Sequence, residues 1–530
     1  MFFALTALQA GAVWLHRSFP TQDGPIQLYY TDVLADLLRG GGTYSAYFRL
    51  NSHAPVYCFF NYAMLLLNQV FAPLTSERIL VCLYVVAFSF GARFLIHSID
   101  RRNDWLPFFF LPFAFHSYLY LGIYNFTFGI ATLLFAMGVW LRSAPRWTWR
   151  ASLLWLALLA ALCIMHQLTL AFLGLFIAGQ AAATWVGRWR AAEGGIGGRA
   201  WAASRHVARS VAMAVPVGAA MLWVASFSSS AVSSPAVGVQ FGVAVRLRGL
   251  LQMIPLSPFI NPLYRFCLLL FVLLPVPLIA IRAVRASWTD RPAAGAASFG
   301  LGLTAAVGLA LFVLAPWWFL GAGYFASRMS LIFVVCYLAA LAPLRLPGTL
   351  RRAVLAIVVC LLPLLAVIRY RQTEAIVNRL APVYDARPLL AGQWGAIVSG
   401  EEGDVPGLMF NPYYWAGAHY ARQGRAVLLN APWIYGPLAI ITTRNAHAWD
   451  GVSPDRMLRI LSSAGQLGAT SKIGFVCGGK WDYPEHRAMA SSASLTRGLG
   501  FVRVFESEVY YCDGRAGITT LAGQLSSALP

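Results

Sequence analysis

A succession of apolar stretches, each about as long as a membrane-crossing helix and joined by short connectors whose charges are mostly arginine, constrains this chain more than anything else in it. A spanning helix needs about 20 predominantly apolar residues. Candidates fall at 1–16, 79–98, 105–121, 126–141, 151–165, 168–186, 210–227, 264–281, 297–315, 329–344 and 353–368. With 59% hydrophobic and 11% charged residues and a mean hydropathy of +0.63, the chain reads as a polytopic α-helical membrane protein of about 11 transmembrane helices. Met1 to Trp14 lacks a basic leader and a small-residue cleavage site, so it reads as a first membrane helix rather than a signal peptide.

The formal charge of +20 would suit nucleic acid, but 38 of the 40 basic residues are Arg and many sit in connectors between apolar spans, so orientation in the membrane explains them and no nucleic-acid partner is implied. Arginine-rich connectors alternate with poor ones if residues 56–74, long enough to be a twelfth span, do not cross. The rich set is then Arg101 and Arg102; Arg142, Arg146 and Arg150; Arg188 to Arg209; Arg282, Arg285 and Arg291; and Arg345 to Arg352. The positive-inside rule makes these cytoplasmic, which puts the N-terminus inside and the 17–78 loop and the tail outside. Residues 56–74 become an interfacial helix of that first outward loop.

After Arg369 the composition changes. The tail holds both Lys residues and twelve of the twenty acids, the signature of a soluble domain. The expected domains are therefore 1–369 in the membrane, carrying the 17–78 loop, and a C-terminal soluble α/β domain over 370–530. Strands are expected at 407–410, 426–430, 472–478 and in a pair near 501–512, with helices at 413–423 and 455–465 between them. Six of the eight Cys lie in apolar segments as small hydrophobes; Cys477 and Cys512 lie in polar sequence and could pair in an oxidising compartment.

Arg17 to Pro55 carries Asp23, Asp32 and Asp36, three of only eight carboxylates before residue 370, which is where chemistry at a membrane surface would be placed. Asp23 reads as the N-cap of the helix that follows, with Pro25 in its first turn. Positions 26, 30, 33, 34, 37 and 38 then form an apolar face for the membrane, with Asp32 and Asp36 turned to water and Gly40 to Gly42 ending the helix. A carboxylate aimed by a helix can also take a proton, so capping and catalysis remain compatible. His53 and His166 fall at outward turns and suit neutral ring hydrogen bonding. Tyr124 and Asn125, in a charge-free connector, suit either a sugar site or a helix cap. Arg246 and Arg248 suit lipid phosphate or a solvated amphipathic face, and Arg328 a phosphate clamp or an interfacial anchor.

These features form a pattern: a first helix, an outward loop opening on an acid, a juxtamembrane helix, HAP at 53–55, GIYNFTFG at 122–129, His166, Arg328 at the head of a late helix, and an external C-terminal domain. The pattern resembles the class C fold of polyprenyl-phosphate-sugar-dependent glycosyltransferases, the superfamily of protein O-mannosyltransferases and lipid A aminoarabinose transferases. The resemblance implies an enzyme of the bacterial inner membrane that moves a sugar from a polyprenyl-phosphate donor to a lipid, glycan or protein acceptor. It also implies that Asp23 acts as base or metal ligand, and that Arg328, His53, His166, Tyr124, Asn125, Arg246 and Arg248 are candidates for substrate binding. The family often shows paired acids, whereas this chain has Asp-Gly-Pro at 23–25, a single carboxylate. A divalent metal is the one cofactor the resemblance raises. Two other classes stay open: a ligase for polyprenyl-linked glycans, resting on loop His and Arg, and a lipid or glycan transporter. The latter ordinarily carries ionisable residues at mid-span, and these spans are nearly charge-free.

The arginine asymmetry makes a topology prediction. A reporter fused after Arg102 is expected in the cytoplasm and one fused after Arg387 outside it; both on one side would overturn the arrangement.

Overall fold

The structure, a computed structural model, describes residues 1–40, 42, 44–45, 48–50, 57–143, 147–192, 196–228, 242–276, 292–316, 324–344, 346–385, 394–399, 408–410, 415, 418–419, 421–422, 427–428, 441–443, 472–476, 502–503 and 508–512. Its contacts divide the chain into two compact units. One comprises Met1–His16, Pro55–Phe60 and Arg78–Gln372; the other comprises Arg17–Ala54, Asn61–Glu77 and Thr373–Pro530. Most of the 17–78 segment thus belongs to the same unit as the tail.

The helices are α1 (Phe2–Ala12), α2 (Gly24–Leu38), α3 (Phe59–Leu67), α4 (Pro73–Ile99), α5 (Ser117–Tyr120), α6 (Tyr124–Ser143), α7 (Trp149–Met165), α8 (Gln167–Ala191), α9 (Ile196–Ser228), α10 (Val243–Leu251), α11 (Pro262–Leu273), α12 (Pro292–Leu314), α13 (Phe325–Ala340) and α14 (Gly348–Asp385). Five segments, Pro73–Ile99, Tyr124–Ser143, Gln167–Ala191, Ala294–Leu314 and Gly348–Asn378, are long and apolar enough to cross a bilayer, and shorter apolar helices accompany them. A multi-pass helical membrane protein follows. α3, at nine residues, is about 14 Å long, well short of the hydrocarbon thickness.

In the first unit α12 lies along α13 and α8, α8 along α9, and α6 along α7. Without a hydrophobic force between lipid-bathed helices, close backbone approach at small residues does the joining. Gly300 is such a point: a Cβ there would sit 2.9 Å from the Phe176 carbonyl oxygen and 3.0 Å from Gln180 N. The span expected at 105–121 takes a different form. Leu106–Phe115 is a ten-residue 3₁₀ helix, buried along its whole length, which breaks at His116 before the single turn of α5. Pro107 and Pro112 withhold two N–H groups, which disfavours a regular α-helix here. Ser117 then ties this corner to the chain before α11, its N donating to Leu256 O at 3.0 Å and its Oγ to Pro255 O at 2.6 Å.

In the second unit α2 departs from expectation. Ile26, Tyr30, Val33 and Leu34, from the face expected to lie on the membrane, are instead buried within the protein, and so are Gln27 and Thr31 beside that face. Asn61 Nδ2 lies 3.2 Å from Gln27 O, 3.3 Å from Gln27 Oε1 and 3.3 Å from Thr31 Oγ1, so α2 is a core helix with a satisfied polar side rather than a membrane-surface helix. Asp36 is only half-buried, and its carboxylate accepts from Tyr44 N at 3.0 Å, closing the glycine turn. Short strands follow. β1 (Phe48–Leu50) pairs antiparallel with β4 (Ile441–Thr443). A five-stranded sheet orders β3 (Val427–Leu428), β2 (Trp394–Ser399), β5 (Lys472–Val476), β7 (Glu508–Cys512) and β6 (Val502–Arg503), with β3, β2 and β5 parallel and β7 antiparallel to β5 and to β6. β1, β2 and β4 are absent from the sequence reading, while the segment at 407–410 contributes no strand to this sheet. The helix expected at 455–465, and Cys477 with its pairing, lie outside the described residues.

Gly300→Val is expected to push α8 from α12 and lower stability by roughly 1–3 kcal/mol in thermal unfolding of the detergent-solubilised protein. Gly302→Val, whose Cβ meets nothing within 4 Å, should not. Equal melting temperatures for the two variants would refute this account of the interface.

Candidate functional site

In the first unit the candidate residues gather around Arg328. It lies in the first turn of α13, buried, with Nη1 3.0 Å from His166 Nε2 and its guanidinium 5.6 Å from the centre of the Phe126 ring. His166 sits between α7 and α8 as the residue preceding α8, and Leu168 N–H reaches its Nδ1 at 3.3 Å. A neutral imidazole has one accepting nitrogen, and a guanidinium can only donate. The shorter contact, from a permanent cation, fixes Nε2 as the acceptor, so Nδ1 carries the ring proton and its 3.3 Å approach to Leu168 N is a contact between two donors rather than a hydrogen bond. Burial, then the positive charge of Arg328, holds His166 well below its usual pKa of 6.5, so the ring is neutral and serves as an orienting acceptor. Gly129 makes room for this turn: a Cβ there would lie 2.9 Å from Thr169 Oγ1 and 3.3 Å from His166 Cβ.

Tyr57 packs edge-on against His166, with centroids 4.9 Å apart. It occupies the left-handed region, at φ 56°, and Tyr324, the residue before α13, does so too, at φ 57°. A non-glycine residue there carries strain on the order of 1 kcal/mol, and such residues cluster where a surrounding structure over-determines them. Here Asn125 supplies the restraint. Its Nδ2 donates to Tyr57 O and its Oδ1 accepts from Phe60 N at 2.9 Å, while Tyr124 stacks on Phe60 at 4.1 Å. Asn125 and Tyr124 thus hold the Tyr57 segment and the start of α3. Burial pushes the Tyr57 phenol up to about 12, with Arg328 pulling the other way, so it remains a neutral donor.

Arg246 is buried, and its Nη1 donates to Phe312 O at 3.0 Å and to Ala315 O. It caps the C-terminal carbonyls of α12, where a cation also complements the helix dipole. Arg248 is exposed on α10. His53 lies outside the described residues.

In the second unit Asp23 sits at the N-cap position of α2, yet its side chain makes no cap. The Thr21 hydroxyl accepts from Gly24 N at 3.1 Å instead. This corrects the capping role expected for the Asp23 carboxylate. The carboxylate is 95% buried, and Trp415 Nε1–H donates to its Oδ1 at 3.2 Å. His419, one helical turn beyond Trp415, is buried and held neutral, its pKa lowered to about 3 by burial and then by Arg422. Nothing in the order of residues around Trp415 or Tyr57 marks them for these contacts; only the nearness of Tyr57 to the HAP stretch was a signal. Among the described residues no three His, Cys, Asp or Glu side chains converge as metal ligands. No step is derived through a metal.

No family model matches the chain, and no curated protein does. Among solved structures, the chain is similar to the crystal structure of ArnT from Cupriavidus metallidurans in the apo state, at 11% identity and a TM-score of 0.47, over 96% of this chain and 97% of that one. Chemistry here rests on the residues themselves.

Two depressed histidines give a pH signature. The folded state keeps His166 and His419 neutral while the unfolded chain protonates near 6.5, so the unfolded state binds more protons below that value. Stability should be full above pH 6.5 and fall from there toward pH 5, before most carboxylates titrate. His166→Gln should flatten the slope in melting temperature against pH. A wild-type slope that is already flat would contradict the neutral, buried assignment.

Proposed function

We propose that this chain transfers a sugar from a membrane-bound polyprenyl phosphate to a hydroxyl or amine of an acceptor at the outer face of the membrane. The observation that carries the reading is the buried guanidinium of Arg328, aimed by a neutral His166 and flanked by Phe126 and by Tyr57, whose backbone is strained and restrained. Such a preorganised cation suits an oxyanion whose charge grows as a bond breaks. A sugar on a polyprenyl phosphate already has its leaving group. In this proposal the acceptor oxygen or nitrogen attacks the anomeric carbon, its proton passes to the Asp23 carboxylate, and the carbon–oxygen bond to phosphate breaks. Polyprenyl phosphate leaves with its charge on Arg328, and the anomeric centre inverts. Release of Asp23 from capping by Thr21 supports the base role, because a carboxylate spent on helix N–H groups is a poorer base. The proposal keeps the topology of about 11 crossings. The N-terminus is cytoplasmic, the 17–78 loop and a soluble α/β domain over 370–530 lie outside, and the external domain selects the acceptor.

One observation favours a second reading. The His166 to Arg328 contact is the kind of pair on which a ligase of polyprenyl-linked glycans would rest, with no part for Asp23.

A donor-release assay on the detergent-purified protein separates the two. Asp23→Asn should depress release of polyprenyl phosphate by roughly 100-fold or more with folding retained. Arg328→Ala should weaken both donor binding and turnover, since the phosphate charge is present before the transition state. Equal rates for wild type and Asp23→Asn remove Asp23 from the chemistry and leave the ligase reading. No release by wild type from several polyprenyl-phosphate sugars overturns both.

A further inference from the structure

From the surroundings of Arg369 in the first unit, we infer a second oxyanion site, built to take the phosphate group of a lipid. Arg369 lies on α14, 21 residues beyond Gly348, so about 32 Å along a helix whose other end carries the exposed Arg351 and Arg352. That distance matches the thickness of a bilayer's hydrocarbon core, and it places Arg369 at the level of lipid headgroups. An arginine there ordinarily snorkels into water. This one is 94% buried. Its guanidinium carbon sits 3.6 Å from the centre of the Phe115 ring, its electrostatic neighbours are the phenols of Tyr264 and Tyr120, and its Nη2 has no hydrogen-bond partner among the described residues.

The arrangement is incomplete as a purely structural one. A ring face covers the flat side of a guanidinium but satisfies none of its N–H groups, which project in the plane of the fork. A desolvated cation whose in-plane donor is unsatisfied is costly, and its neighbours Phe115, Tyr264 and Tyr120 are aromatic and neutral. An oxyanion entering in the guanidinium plane would satisfy the orphan N–H, supply the missing charge and find phenol O–H groups alongside. Phosphate fits such a planar fork, and at headgroup depth lipids bring it. Phe115 is part of the buried 3₁₀ segment that replaces a simple span, and Tyr264 opens α11 through the Asn261 cap, whose Oδ1 accepts from Tyr264 N at 3.0 Å. The box is thus built from three elements distant in sequence, none of them in the Arg328 cluster. The inference does not depend on sugar transfer.

Binding tests it on the full chain in detergent. Melting temperature is read with inorganic phosphate against chloride at matched ionic strength, and with micelles containing phosphatidic acid against phosphatidylcholine. Phosphatidic acid should raise the melting temperature of wild type. Arg369→Lys should weaken its apparent affinity about ten-fold by losing the bidentate fork while keeping the charge. Arg369→Gln should abolish the rise, and Arg150→Gln, at an exposed position, should leave it intact. A shift from inorganic phosphate alone that depends on Arg369 would identify free phosphate as the occupant of the same site. No shift in wild type with either probe overturns the inference even if Arg369→Gln fails to fold. An equal shift in wild type and in a folded Arg369→Gln does so as well.

Discussion

Guanidinium groups must be held inside this protein largely without carboxylates, and much of its architecture follows from that. Only eight acids precede residue 370. The arginines of these helices instead engage neutral electron-rich groups. Arg246 binds the end carbonyls of α12, Arg328 meets an imidazole nitrogen, and Arg93 and Arg142 lie over Phe rings while Arg369 stacks on Phe115. Each of these partners is weaker than a carboxylate but does not cancel the positive charge. A cation held by carbonyls, rings and a neutral imidazole still projects a field on anions, which a tight ion pair would quench.

The same economy shapes the surroundings of Asp23. Asp23 could have been consumed at the start of α2, where N–H groups wait for an acceptor. Thr21 takes that place, and the acid turns to the Trp415 indole in a setting where Gln22, Gln27, Thr31 and Asn61 are all buried. A hydroxyl does the capping as well as an acid would, which leaves the charge for another use. Buried polar groups around α2 are thereby satisfied mainly by neutral partners, and the helix can be interior on both faces without an unpaired side chain on its polar side.

Strain marks the other cluster. Tyr57 and Tyr324 hold left-handed backbone at the two segments that deliver aromatic and cationic groups to His166, and Asn125 spends both ends of its amide on holding the first of them. Rigid support of this kind fixes where the guanidinium points before any ligand arrives, which is what makes electrostatic stabilisation effective.

The residues themselves determined the membrane class and the positions of most long helices. Those readings depend on hydropathy, arginine placement and turn chemistry, all of which are local. The tertiary structure alone decided that Leu106–Phe115 is 3₁₀ and wholly buried, that Arg246 is a cap, that Thr21 displaces Asp23, and that α2 has no lipid face. In each case the outcome turned on a partner far along the chain, Trp415 for Asp23, Asn61 for Gln27 and Ala315 for Arg246. Sequence periodicity tells which side of a helix is apolar, but a polar side can be buried whenever distant groups satisfy its hydrogen bonds, and no local pattern encodes where those groups will be.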